Sequence, residues 1–188
     1  INGITAFFPD SIVDNPRKPK VVITGFKLFN KPVGIGDTVQ GEVVLKKSIA
    51  YSDSVALGFQ NNDFTLEYSS LHYASPPDNR YKYRLLNYDN NWKYSNHLHR
   101  SASYTNLKPG EYTFVVEATN NDGIWSEKPA SLHVTILPPW WMTWWFKVLL
   151  ILAIISLILL IVRFRTRRIN IQKKNLEKEV AARTIELR

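Results

Sequence analysis

The sequence predicts an all-β immunoglobulin- or fibronectin-like sandwich followed by one long α-helix. Three observations carry this. Between residues 20 and 137, apolar and polar residues alternate with a period of two, broken by clusters of Asn, Asp, Pro and Gly. The run 148–162 then holds thirteen Leu, Ile or Val in fifteen residues. Beyond it, residues 163–188 lack Pro and Gly and are rich in helix formers.

Taken in order, residues 1–14 precede a short linker, 15–19, marked by Pro16 and Pro19. The next segment, Val21-Val22-Ile23-Thr24-Gly25-Phe26, is rich in strand formers. Phe64, Leu66 and Tyr68 face one way, with Thr65, Glu67 and Ser69 opposite. Tyr81, Tyr83 and Leu85 oppose Lys82 and Arg84, and Tyr112, Phe114, Val116 and Ala118 oppose Thr113, Glu117 and Thr119. This is the pattern of strands with one face on a core. Turns are expected at Pro76-Pro77-Asp78-Asn79, Asp89-Asn90-Asn91, Pro109-Gly110 and Asn120-Asn121-Asp122-Gly123. About seven strands at this spacing make a sandwich. Tyr112, just after Pro109 and Gly110, has the placing of a tyrosine corner, in which the hydroxyl bonds nearby backbone.

The apolar run reads as a membrane span. Its thirteen aliphatic residues contribute roughly −4 to −8 kcal/mol to insertion. With the aromatic stretch before it, residues 140–162 would span about 35 Å of helix, enough for a hydrocarbon core of about 30 Å. Trp140, Trp141, Trp144 and Trp145 form an interfacial belt at one end, beside Lys147. Arg163, Arg165, Arg167 and Arg168 follow at the other, and the positive-inside rule makes that end cytoplasmic. The domain before the span is then outside the cytoplasm, in a periplasm, and the span lies in a bacterial inner membrane.

Charge supports this division. The net charge is +8, yet residues 1–146 carry 14 basic and 13 acidic residues. Residues 163–188 carry 9 basic and 3 acidic residues, beside the apolar run. The folded part lacks the basic face of a nucleic-acid binder, and the excess suits contact with anionic lipid. The absence of cysteine excludes disulfides and thiolate chemistry. No catalytic, cofactor or metal motif is present, so this chain is not expected to be an enzyme by itself. His97-Leu98-His99 reads as an exposed loop, and Asp89 and Asp122 as turn formers. Alternation assigns most aromatic residues to the core, and Trp92 and Trp125 are expected there as plugs rather than as exposed stacking platforms.

Tyr81-Lys82-Tyr83-Arg84-Leu85, Trp92, Tyr104-Thr105-Asn106-Leu107, Pro109-Gly110-Glu111-Tyr112 and Asn120-Asn121-Asp122-Gly123-Ile124-Trp125 together resemble the three-Y domain of two-component regulators. The three tyrosine positions would be Tyr83 (or Tyr81), Tyr104 and Tyr112. Asn2-Gly3-Ile4-Thr5 through Pro9-Asp10-Ser11-Ile12 resembles the last strand of a regulator β-propeller. The resemblance implies a domain between a periplasmic propeller sensor and a transmembrane helix. A cytoplasmic histidine kinase usually follows, often in hybrid sensors that respond to oligosaccharides; a helix-turn-helix regulator takes its place in a rarer branch.

After the span, Ile169, Leu176, Val180 and Leu187 occupy seam positions of a weak heptad pattern, interrupted by Lys173 and Arg183. The segment from Leu176 to Arg188 resembles the signalling helix that leads from such spans into a kinase dimerisation domain, which implies a homodimer. A start at Ile1 and an end at Arg188 inside a helical pattern are expected of a piece of a longer protein. The expected role is signal transmission from an outer sensor to a cytoplasmic kinase, with residues 138–145 as the mechanical junction. Two alternatives stay open: a membrane-tethered transcription regulator, and a membrane-anchored carbohydrate-binding or adhesion module.

Overall fold

In the computed structural model, residues 15–186 are described, with side chains to Lys173. The expected propeller strand within residues 1–14 lies outside the described residues, as does Leu187. The chain divides into two compact units at Pro138/Pro139.

The first unit is a two-layer β-sandwich. One sheet has four strands in the order β2 (Lys31–Pro32), β1 (Val21–Leu28), β6 (Phe64–Ser70), β9 (Ser101–Tyr104). The other has five, in the order β5 (Ser54–Leu57), β11 (Ala130–Ile136), β10 (Gly110–Ala118), β7 (Arg80–Leu86), β8 (Lys93–Asn96). A separate two-stranded flap joins β3 (Thr38–Val39) to β4 (Glu42–Val43). Among the described residues all strand pairings are antiparallel except β5 with β11, which sets His133 beside Ser54 and Ile136 beside Leu57. The eleven strands among the described residues exceed the seven expected because several are two-residue pairings, too short to leave a periodic trace.

The longer strands follow their alternation. In β6, Phe64, Leu66 and Tyr68 are buried, and in β10 Tyr112, Phe114, Val116 and Ala118 are buried. Their inner faces meet Leu85, Leu132, Val134 and Ile136 in one core. Each large side chain so buried contributes about 1.5–3 kcal/mol. A bulge between Ile23 and Gly25 shifts the β1 register and leaves Thr24 exposed.

The second unit begins with a 3-10 turn at Trp140–Met142, and a single helix, α1, runs over Trp144–Glu186. Thr143 ends the turn: its hydroxyl donates to the Trp140 carbonyl, and its own carbonyl accepts the Lys147 N–H at 3.3 Å. The aromatic stretch therefore does not lengthen the helix from Trp140; the helix starts four residues later because Thr143 is extended. From Trp144 to Val162, 19 residues still cover about 28 Å, close to the hydrocarbon thickness of about 30 Å. Within the candidate span, Trp144–Lys173, the most apolar 18-residue window has a mean hydropathy of 2.9 and no side chain buried. A helix apolar on every side of this window, with none of it buried, suits lipid as its surroundings.

Candidate functional site

Alternation in four strands brings Tyr68, Tyr81, Tyr83, Tyr104, Tyr112 and Phe114 to the inner faces of the sandwich, and Tyr88, half-exposed in the turn after β7, joins them. Tyr68 packs on Tyr81 at 5.4 Å, on Tyr83 at 5.7 Å and on Phe114 at 6.1 Å between ring centres. Phe114 meets Tyr104 edge-on at 6.3 Å, and Tyr88 bridges Tyr104 and Tyr112 at 5.7 and 6.5 Å. The rings thus form a continuous chain from Tyr81 on β7 to Tyr112 on β10.

The hydroxyls do more than satisfy themselves, because three of them tie one sheet to the other. Tyr81, on the five-stranded sheet, accepts the Ser70 N–H of the four-stranded sheet at 3.2 Å. The Tyr68 hydroxyl, on the four-stranded sheet, meets that of Ser95 on β8 at 2.8 Å. Tyr104, on β9, donates to Asp89 Oδ2 at 2.8 Å, in the turn between β7 and β8. Tyr112 makes the local corner bond, donating to the Lys108 carbonyl at 2.9 Å around Pro109 and Gly110. A Cβ added to Gly110 would lie 3.9 Å from the Tyr112 ring. Tyr83 is half-buried and contributes its ring.

Asp89 extends this network beyond the turn geometry expected of it. Oδ2 also accepts the Leu85 N–H at 2.8 Å, and Oδ1 accepts Lys93 Nζ at 2.8 Å, with the carboxylate side chain only 6% exposed. Burial pushes this carboxyl up, but the bonds from Lys93, Leu85 and Tyr104 and the Lys93 charge outweigh it and hold it low. Nothing local in the sequence signals the Tyr104 bond, since its partner lies fifteen residues away.

Burial raises the phenols of Tyr68 and Tyr104 above the ordinary tyrosine value of 10.0, and the Asp89 bond and charge raise Tyr104 further. The folded form keeps both protons while the unfolded chain ionises from about pH 10 upward. Stability is therefore complete below that range and falls as pH rises through it. The denaturation midpoint is expected to drop more steeply above about pH 10 in the native sequence than in Tyr104→Phe, a difference measurable by circular dichroism.

Trp92 and Trp125 are not core plugs. Both are half-buried on the outer face of the five-stranded sheet, where Lys82 Nζ lies 4.9 Å from the Trp92 ring and 4.4 Å from the Trp125 ring. The Arg84 guanidinium stacks on Trp92 at 4.5 Å, and Lys82 pairs with Glu117 at 2.9 Å. The outward cations of β7 have apolar stems, and the two indoles cover them. Strand alternation does not show that residues outside the strands fold over that face. His97 and Leu98 occupy a turn after β8, followed by His99.

After β10, Gly123 adopts φ +82° in a turn built on Asn120, whose Oδ1 accepts the N–H groups of Asp122 at 3.0 Å and Ile124 at 2.8 Å. Nothing lies within 4 Å of a Cβ added at Gly123, so its requirement is one of backbone conformation.

On the second unit, Trp140 stacks edge-on against Phe146 at 4.9 Å and against Trp141 at 5.5 Å, and Trp145 meets Phe146 at 6.1 Å. Trp144 and Lys147 are exposed at the start of α1. Arg163, Arg165, Arg167, Arg168 and Ile169 are exposed along it. Leu176 and Val180 are helical, with side chains outside the described residues.

Residues 72–137 match the Y_Y_Y domain family. Over 172 residues the chain is 30% identical to histidine kinase P4 of Formosa agariphila, covering 92% of this chain and 12% of that protein. Two solved extracellular domains of hybrid two-component systems from B. thetaiotaomicron superimpose with TM-scores of 0.57 and 0.52. They are 29% and 27% identical, covering 68% and 69% of this chain and 16% and 17% of theirs. The tyrosine-bolted sandwich is thus similar in sequence, over residues 72–137, to the Y_Y_Y domain family, and in three dimensions to the extracellular domains of two-component systems.

Proposed function

We propose that this chain is the membrane-proximal transmission segment of a single-span sensor. A ligand signal of oligosaccharide type is received outside the cytoplasm by a preceding propeller. It passes through the sandwich and the apolar helix to a cytoplasmic histidine kinase. The protein works as a homodimer, its sandwich in the periplasm and its helix in the inner membrane, with the arginine cluster on anionic lipid at the cytoplasmic face. The observation that carries this reading is continuity: β11 ends at Ile136, α1 begins at Trp144, and one uninterrupted helix then runs to Glu186. A two-layer body bolted between its sheets can move as a unit, and so short a connection passes that movement to a helix. Signal then requires two discrete arrangements of paired helices.

The chain has no cysteine, so single cysteines report cleanly. Ser131→Cys should react with an impermeant maleimide from the periplasmic side of intact cells, and Arg168→Cys only after lysis. Oxidation of Leu176→Cys or Val180→Cys should trap dimers. The opposite labelling pattern would overturn the orientation, and no dimer from cysteines anywhere along the helix would overturn the paired shaft.

A further inference from the structure

The linker does not run directly into the sheet that its own strand joins. Residues 15–17 first bind the turn after β10, on the five-stranded sheet, and the chain then enters β1 of the four-stranded sheet. Asn120 is 0% exposed and uses both ends of its amide. Its oxygen shapes the turn, as described above. Its Nδ2 donates to the carbonyls of Asn15 at 2.7 Å and Arg17 at 3.2 Å. Asp122 Oδ2 accepts the Asn15 N–H at 2.7 Å, and Asn121 Nδ2 donates to Asp122 Oδ1 at 2.9 Å. Asn121 Oδ1 in turn pairs with His72 Nε2 at 2.9 Å.

The two halves of the Asn120 amide thus have separate tasks. An asparagine or aspartate side-chain oxygen suffices to cap a turn of this kind. The –NH2 group adds nothing to the turn and is spent on linker carbonyls. The turn also belongs to the β10–β11 connection, and β11 is the strand that leads through residues 137–143 to α1.

We propose that this turn is a latch: it grips the chain arriving at residue 15 and delivers its displacement to the β10–β11 hairpin and onward to residues 137–143. The proposal deepens the transmission reading and rests on it, naming where the incoming signal enters the sandwich. The latch has two states, linker bonded and linker released, with the Asn120 amide protons exposed to water in the second.

Asn120→Asp separates the two tasks, keeping an oxygen for the turn while replacing the donor with an acceptor that repels both carbonyls. Hydrogen exchange on the whole chain in lipid nanodiscs is the readout. In the variant, exchange at the bonded amides of Asn15 and Arg17 should rise about tenfold, as expected when one or two net hydrogen bonds are lost. Exchange in β10, β11 and residues 137–143 should rise with it, while β1 and β6 keep their protection. Acceleration confined to residues 15–18 would overturn the latch by reducing it to a local tether, and so would unchanged exchange there. If Asn120→Asp loosens every strand, Asp122→Ala removes the acceptor of the Asn15 N–H while leaving the Asn120 bonds, and the same outcomes decide. Cysteine labelling and cross-linking read orientation and dimerisation independently, so a failed latch and a failed transmission reading give different results.

Discussion

Replacing Phe114 with alanine is expected to destabilise the sandwich by about 3–5 kcal/mol. The side chain is 0% exposed and touches Tyr68, Tyr83 and Tyr104 at ring separations of 6.1, 6.1 and 6.3 Å. Two of those three neighbours, Tyr68 and Tyr104, carry hydroxyls that reach from the four-stranded sheet to the other sheet. Truncation therefore leaves a cavity and also frees the bolts to drift. A loss of this size is a large share of the roughly 5–15 kcal/mol that holds a domain together. Denaturant titration of the chain in mild detergent would measure it. Tyr88→Ala serves as the contrast, since Tyr88 is 50% exposed and its removal leaves no closed cavity. A loss below about 1 kcal/mol for Phe114→Ala would contradict its place at the centre of the network.

Introducing arginine at Ile154 is expected to weaken membrane insertion by about 3–4 kcal/mol, the difference between a central isoleucine and a central arginine. The aliphatic run supplies roughly −4 to −8 kcal/mol, so one substitution takes about half or more of the driving force. The pair Ile154→Arg and Ile158→Arg should abolish insertion. Both positions are exposed in a helical window with no buried side chain, so folding of the sandwich should be unaffected. A glycosylation-mapping assay of the inserted fraction reads the outcome. Undiminished insertion of the double variant would rule out residues 144–162 as a span.

These two experiments probe different kinds of legibility. The apolar helix could be read from the sequence because its cause is compositional: thirteen aliphatic residues in a run of fifteen need no partner to declare their preference. The long strands could be read because period-two alternation is local, and Tyr112 because its corner bond closes over four residues. The family resemblance could be read from tyrosines and turns in series, for the same reason.

What the sequence by itself determined, then, was the class of fold, the apolar span with its flanking Trp and Arg residues, and the inward-facing residues of the main strands. The tertiary structure alone decided which partners the Tyr68, Tyr81 and Tyr104 hydroxyls meet. It paired Tyr104 with Asp89, set Trp92 and Trp125 over Lys82 on the outer face, and brought Asn120 to the linker over a separation of 105 residues. It also ended the aromatic turn at Thr143 and so delayed the helix to Trp144. The physical reason lies in range. Propensity, alternation and hydropathy act between neighbours along the chain, whereas a hydrogen bond or a cation over a ring needs two groups within a few ångströms. Only the packing of one sheet on the other, and of the loops over them, supplies that proximity.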